Sequence, residues 1–253
     1  GSYNSSNKIN KILYKDSKIK IFKINLLKHS NKLLKIINKI KPDIIIDYAS
    51  ICMVNESWKK PEYYYDINVK SRLKIIQNFK KMSFIKKYIY ISTPEVFGNQ
   101  KVKLTENLKK YLPSTPYATS KLTAELNFLN ACKVQKFPLI ISRFSNFYGP
   151  GQELYRLIPK IIMCIKKNIK FPLQGNGKSK RNFIFTNDFC EGVLKMIEKG
   201  KIMEIYHFSG DEFVSIKYVI KLICKYLNVN YNSLIKRVED RISKDEIYML
   251  DSK

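Results

Sequence analysis

Two hydrophobic periods alternate along this chain, and that alternation limits its fold more than any other feature. Residues 43–50, "DIIIDYAS", form a continuous apolar run of strand length, the pattern of a strand covered on both faces. Upstream, Leu33, Ile36, Ile37 and Ile40 fall on one helical face, which Ser30 can cap and Pro42 stops. "VKSRLKIIQNFKKM" then reads as helix, "YIYIS" as strand, residues 116–135 as helix, "PLIISR" as strand and "LIPKIIMCIKK" as helix. Ahead of them all, "KIKIFKIN", residues 18–25, reads as a further strand. Repeated strand, helix, strand is the pattern of an α/β protein with a parallel sheet, whose ligands bind outside the carboxyl ends of the strands. The ends of "DIIIDYAS", "YIYIST" and "LIISRFSN" are therefore where a site is expected.

A chain of 253 residues with 45% hydrophobic content can bury the core of one large domain with a small lobe. The formal charge of +26 is spread over scattered lysines, with no basic block and no interleaved aromatic stripe. It reads as solvated lysine faces, so no nucleic-acid partner is expected. Cys52, Cys132, Cys164, Cys190 and Cys224 are widely spaced and only His29 and His207 accompany them, which indicates neither a disulfide framework nor a metal site. No apolar run approaches the roughly 18 residues that cross a bilayer, and no signal peptide opens the chain. A cytoplasmic protein without a membrane partner is the expectation. "GNGKSK" reads as a turn, and the isolated His207 and Trp58 as packed or hydrogen-bonded structure.

The chemistry concentrates in two places. "YISTPEVFGN", residues 90–99, ends a strand in Ser92 and Thr93, followed by Pro94 and the carboxylate Glu95. Downstream, "STPYATSKLTAE" holds Tyr117 and Lys121, four residues apart, on one face of a helix that Pro116 begins. An ammonium beside a phenol favours phenolate, lowering a pKa that starts at about 10 and making the tyrosine a base. A lone Tyr-x-x-x-Lys is also what a surface helix of a lysine-rich chain shows. The order strand, Ser/Thr, then Tyr-x-x-x-Lys on the following helix is the specific signal.

These stretches resemble the extended short-chain dehydrogenase/reductase family, and within it the nucleotide-sugar 4,6-dehydratases that act on dTDP-glucose. "KPDIIIDYAS", "PEYYYDINV", "ISTPEVFG", "PSTPYATSK", "RFSNFYGPGQ", "GNGKSKRNFIFTNDF" and "DRISKDEIYMLDSK" match in the family's order over nearly the whole chain. The resemblance implies a Rossmann-type doubly wound parallel sheet over residues 1–170 that binds NAD, and a smaller lobe over 171–253 for a nucleotide-diphosphate sugar. It implies a homodimer as well. By the same resemblance Tyr117 takes the proton of the sugar 4-hydroxyl, Lys121 holds the nicotinamide ribose, Thr93 hydrogen-bonds the sugar oxygen and Glu95 removes the proton at carbon 5. Asn25 and Leu26 match the pair near the adenine, Ala49 and Ser50 the small residues along the cofactor, and Asn146 an asparagine near substrate. Arg181 and Arg241 match arginines that clasp the diphosphate, where a guanidinium fork suits phosphate oxygens. Read without the resemblance, the two arginines are also ordinary surface residues, and Asn25, Ser50 and Asn146 capped strand ends.

Two departures qualify the match. Pro94 stands where the dTDP-glucose enzymes carry an aspartate that protonates the leaving hydroxyl, and proline has no proton to give. The family's opening strand, glycine-rich turn, first helix and second strand have no counterpart before "KIKIFKIN", which leaves a gap in the expected sheet and marks the sequence as part of a longer polypeptide. The reaction expected is 4,6-dehydration, with 4-epimerisation, decarboxylation of a UDP-glucuronate-type sugar, or non-catalytic nucleotide-sugar binding as the alternatives.

Overall fold

The computed structural model describes residues 19–239 and 249–252. Helix α1, Ser30–Ile40, leads into strand β1, Ile44–Asp47, and two short helices, α2, Val54–Lys59, and α3, Pro61–Tyr65. A π turn, Asp66–Lys70, joins α3 to α4, Ser71–Gln77. Strand β2, Lys87–Ser92, runs into a 3-10 turn, Pro94–Phe97, then the short strand β3, Lys103–Leu104, and helix α5, Pro116–Gln135. Next come β4, Leu139–Phe144, β5, Asn146–Tyr148, α6, Leu157–Lys166, β6, Phe171–Gln174, and β7, Lys180–Phe185. The described chain continues through α7, Thr186–Lys199, β8, Ile205–Phe208, β9, Phe213–Ser215, α8, Ile216–Tyr226, α9, Tyr231–Leu234, β10, Ile235–Val238, and β11, Met249–Leu250.

The central sheet is parallel throughout, in the order β1-β2-β4-β8. Successive side chains of a strand point to opposite faces. Tyr88, Tyr90, Leu139 and Ile141 accordingly pack with Ile37, Ile75, Ile76 and Phe128 of α1, α4 and α5. Ile89 and Ile140 pack on the other face with Phe189, Val193 and Met196 of α7. All six residues of β4 are buried, as a strand with helices on both faces must be. Full burial contributes about 1.5–3 kcal/mol for each large apolar side chain, so these two layers supply most of the driving force. This is the Rossmann-type doubly wound arrangement. A separate cluster, Ile161, Cys164, Phe171, Leu173, Ile220 and Leu234, unites α6, α8 and α9 with the paired strands β6 and β10.

Local chemistry fixes α5. Thr115 accepts a hydrogen bond from the Ala118 amide at 3.1 Å, Pro116 takes the first helical position, and Lys136 ends the helix in the left-handed conformation (φ 58°).

Three expectations differ from the structure. Ile19–Asn25 forms no strand, and Ile19, Ile21 and Phe22 are about half exposed. A strand exists only against a ladder partner, and among the described residues none pairs with this segment or with the outer edge of β1. The capping position of α1 is occupied by His29, while Ser30 Oγ accepts from Lys74 Nζ at 2.6 Å. Trp58 is half exposed, over a surface cavity of about 350 Å³ that it lines with Pro61, Tyr65 and Pro116, because Ser57 takes the buried position of α2.

Two charged pairs lie inside the layers. Asp47 at the end of β1 receives both Nε and Nη2 of Arg72, at 2.9 and 2.6 Å, and the Tyr88 hydroxyl at 2.7 Å. Burial pushes its carboxyl up, but the Arg72 charge and these hydrogen bonds bring it below the usual range. Arg143 of β4 pairs with Glu125 of α5 through Nε (3.1 Å) and Nη2 (2.5 Å), donates to Tyr111 Oη at 3.1 Å, and lies 3.4 Å from His207 Nε2. His207 Nδ1 faces the Leu104 carbonyl at 2.9 Å, the arrangement of a neutral ring that donates from Nδ1 and accepts at Nε2. Burial, then the Arg143 charge, lower its pKa to about 4.

Two outcomes follow from this arrangement. His207 titrates near 6.5 when unfolded and about 4 when folded, so its contribution to stability is complete above 6.5 and is lost as pH falls through 4. Urea unfolding should show that decline, and His207→Gln should flatten it over this interval. Gly98 holds φ 65°, and a Cβ there would sit 1.9 Å from the Leu112 carbonyl oxygen. Gly98→Ala should therefore cost more than about 1 kcal/mol in the same measurement.

Candidate active site

The 3-10 turn after β2 is built by its own sequence. Thr93 is extended (φ −143°, ψ 146°) and its Oγ1 accepts from the Glu95 amide at 3.3 Å. Pro94 takes the first position of the turn, and Gly98 closes it with a positive φ. Thr93 is buried by this geometry, with Glu95 half-buried beside it at the carboxyl end of the sheet.

Tyr117 and Lys121 lie one helical turn apart on the buried side of α5, 7% and 1% exposed. The Thr93 hydroxyl acts on the Tyr117 phenol in the sense that favours its charged form, and the Glu95 charge acts on the same phenol in the opposite sense. Lys121 Nζ donates to the Ile91 carbonyl at 2.6 Å and stands 4.2 Å from the centroid of the Tyr90 ring. Thr93, Glu95, Tyr117 and Lys121 thus meet where β2 ends against α5.

The electrostatics run opposite to the expectation drawn from an ammonium beside a phenol. Burial, and after it the Glu95 charge, push Tyr117 well above 10, and the nearby Thr93 hydroxyl opposes them by less. Lys121 is itself lowered to about 7, first by burial and then by the Arg72 charge. Shared helical spacing put the two groups on one face, but for both the loss of hydration on burial is the largest influence.

Ala49 and Ser50 follow β1 directly. The Ala49 amide donates to Asp47 Oδ1 at 3.1 Å and its carbonyl accepts from Arg72. One residue on, Ile51 is bonded through both its amide and its carbonyl to Asn68, at 3.0 and 3.2 Å, and Asn68 also donates to Ser120 Oγ of α5 at 3.0 Å. The β1 loop is therefore tied to the helix that carries Tyr117. Asn25 uses its side-chain oxygen locally, accepting from the Leu27 and Lys28 amides at 3.0 and 3.1 Å, with Leu26 half-buried inside that turn. Asn146 begins β5 and pairs with Phe183 of β7, two residues beyond Arg181, so these two share a second sheet. Arg181 Nη1 donates to the Lys180 carbonyl at 2.7 Å. Arg241 lies outside the described residues.

Two neighbours of Tyr117 escaped the sequence reading. Arg156 Nη2 donates to Cys52 Sγ at 2.8 Å; Cys52 is among the groups that raise the phenol, and the phenol in turn is among those that raise Arg156. In a chain with 47 lysines and arginines, one more arginine in a loop gives no signal. Asp47 and Arg143 did give one. Each is a charge inside an apolar strand run, which requires a buried partner.

Known proteins resemble this chain in sequence and in fold. A dTDP-D-glucose 4,6-dehydratase of Dictyostelium discoideum is 32% identical over 220 residues, which is 83% of this chain and 50% of that protein. The human dTDP-D-glucose 4,6-dehydratase is 31% identical over 229 residues, 88% of this chain and 65% of that one. The chain thus spans about half the length of the first relative and somewhat under two thirds of the second. A dTDP-glucose 4,6-dehydratase of Streptomyces venezuelae, solved with NAD bound, superposes with a TM-score of 0.89 at 24% identity, covering 97% of this chain and 75% of that one, and shows the same fold. The model of the NAD dependent epimerase/dehydratase family matches residues 2–208, and by that match, over a sheet and site of this geometry, the chain belongs to that family.

Proposed function

We propose that the protein is an NAD-dependent nucleotide-sugar 4,6-dehydratase. The observation that carries this reading is the meeting of a carboxylate, Glu95, with a hydroxyl pair, Thr93 and Tyr117, at one strand end. A 4-epimerase needs the phenol and the threonine. Removal of the carbon 5 proton needs a carboxylate as well. The relatives' names agree with dehydration of a dTDP-sugar.

The residues present fit the nicotinamide ribose end of NAD. Lys121 Nζ is held on the Ile91 carbonyl one helical turn from Tyr117, and the Ala49 amide is held on Asp47 at the end of β1. Residues 19–97 hold no glycine, so the described residues account for the ribose end of the cofactor and not for a glycine-rich turn at its pyrophosphate. NAD, when bound, supplies the electron acceptor for carbon 4 and a positively charged ring that opposes the two influences holding Tyr117 neutral.

In the proposed reaction Tyr117 moves the proton of the sugar 4-hydroxyl, and the neighbouring Thr93 hydroxyl holds that same oxygen. Lys121 orients the ribose, with Ile91 fixing its ammonium. Glu95 takes the carbon 5 proton once a ketone at carbon 4 has acidified it, water leaves from carbon 6, and the hydride removed from carbon 4 is returned to carbon 6, so that one water is lost overall. Asn146 and Arg181, on the β5-β7 pair, would lie along the sugar and its diphosphate, with Arg241 as a further diphosphate ligand. Asn25 and Leu26 would face the adenine. We assign residues 1–170 mainly to the cofactor and 171–253 mainly to the nucleotide sugar, in a cytoplasmic homodimer. The exposed Trp58 and Tyr63, on helices packed against α5, support a second copy covering that face.

Pro94 favours a second reading. It carries no acid for the leaving hydroxyl, which suits 4-epimerisation or decarboxylation of a UDP-glucuronate-type sugar. A non-catalytic binding role would also leave Pro94 without a task.

Product analysis on dTDP-, UDP-, GDP- and CDP-sugars separates these outcomes. Dehydration appears as loss of one water, decarboxylation as release of carbon dioxide, epimerisation as no mass change, and a binding protein yields no product. Tyr117→Phe should lower oxidation at carbon 4 by about 10²–10⁴-fold. Glu95→Gln should retain that oxidation while the carbon 5 position stops acquiring deuterium from D₂O. Equal loss of both steps in Glu95→Gln would count against the assignment.

A further inference from the structure

The site rests on two separate supports. Tyr117 and Lys121 stand on α5, whereas Thr93 and Glu95 stand on the turn after β2. One fully buried guanidinium touches both. Arg143 grips Glu125, which follows Lys121 by four residues and Tyr117 by eight on the same buried face of α5. Its carbon also lies 4.7 Å from the ring centroid of Phe97, the last residue of the turn that holds Glu95. Tyr111 stacks on Phe97 at 5.3 Å and accepts from Arg143, and His207 meets the Phe97 ring edge-on at 5.8 Å.

We propose that Arg143 is a positioning residue: by holding Glu125 on one side and Phe97 on the other, it sets the spacing between the Tyr117–Lys121 face of α5 and the Glu95 turn. The role suits arginine alone. A guanidinium meets a carboxylate through two parallel N–H groups and offers a flat face to aromatic rings, and an ammonium does neither. Apolar pairs of similar volume replace buried ion pairs with little loss of stability. What this pair contributes is therefore an arrangement, and a displacement of about 1 Å in such a site costs about 10²-fold in rate.

The inference rests on the dehydratase reading, and its test keeps the two separable. Arg143→Met combined with Glu125→Leu removes the pair without leaving a lone buried charge; Arg143→Lys keeps the charge without the plane. With dTDP-glucose and NAD, both variants should hold KM within about threefold while kcat falls about 10–100-fold, and the double variant should unfold near the parent's midpoint. A double variant with both the parent's midpoint and the parent's kcat would overturn the proposal. A second readout needs no turnover: 3-fluorotyrosine placed at position 117 reports the Glu95 charge through its fluorine resonance. Glu95→Gln should move that resonance in the parent and move it less than half as far once Arg143 has been changed to Lys or removed with Glu125. Equal displacements in all backgrounds would overturn the positioning role. A parent that converts no nucleotide sugar would overturn the dehydratase reading alone.

Discussion

A charge placed inside a sheet that helices cover on both faces cannot be hydrated, and much of this structure follows from how two such charges are satisfied. Arg143 sits on β4, every residue of which is buried, and Asp47 closes β1. Each is matched by a partner on a helix, Glu125 of α5 and Arg72 of α4. The partners are almost wholly enclosed, so removing one member would leave a bare charge in the core. The pairs therefore dictate where α4 and α5 lie along the strands, and α5 carries Tyr117 and Lys121.

The same enclosure sets the character of the site. Tyr117 is held neutral and Lys121 is lowered to about 7 because neither has water to stabilise its charged form. A positive charge brought beside Tyr117 would act in that dry setting with far more effect than in solvent. Thr93 is buried and fixed by its bond from the Glu95 amide, so its hydroxyl is placed near the phenol by the turn itself.

Much of this was legible in the sequence. The helix expected over residues 116–135 is α5 itself, and the apolar runs at 43–50, 88–92 and 138–143 became β1, β2 and β4. "KIKIFKIN" has the alternation of a strand but forms none, because alternation states only which face would be apolar and a ladder partner must exist to use it. Trp58 failed for a local reason: on a short helix, Ser57 occupies the inward position. Arg156 and Cys52 come from segments about a hundred residues apart, and nothing in either segment announces the other.

The sequence by itself determined the α/β class, the order of the elements and the two clusters of reactive side chains, since periodicity, proline and capping residues act over a few positions. The Thr93–Glu95 turn and the Tyr117–Lys121 spacing belong to that local record. Only the tertiary structure decided that these clusters share one site, that burial reverses the expected drop in the tyrosine pKa, and that Arg143 reaches both supports. Burial and long-range charge are properties of the packed layers, and a linear pattern carries no measure of how much water a folded site excludes.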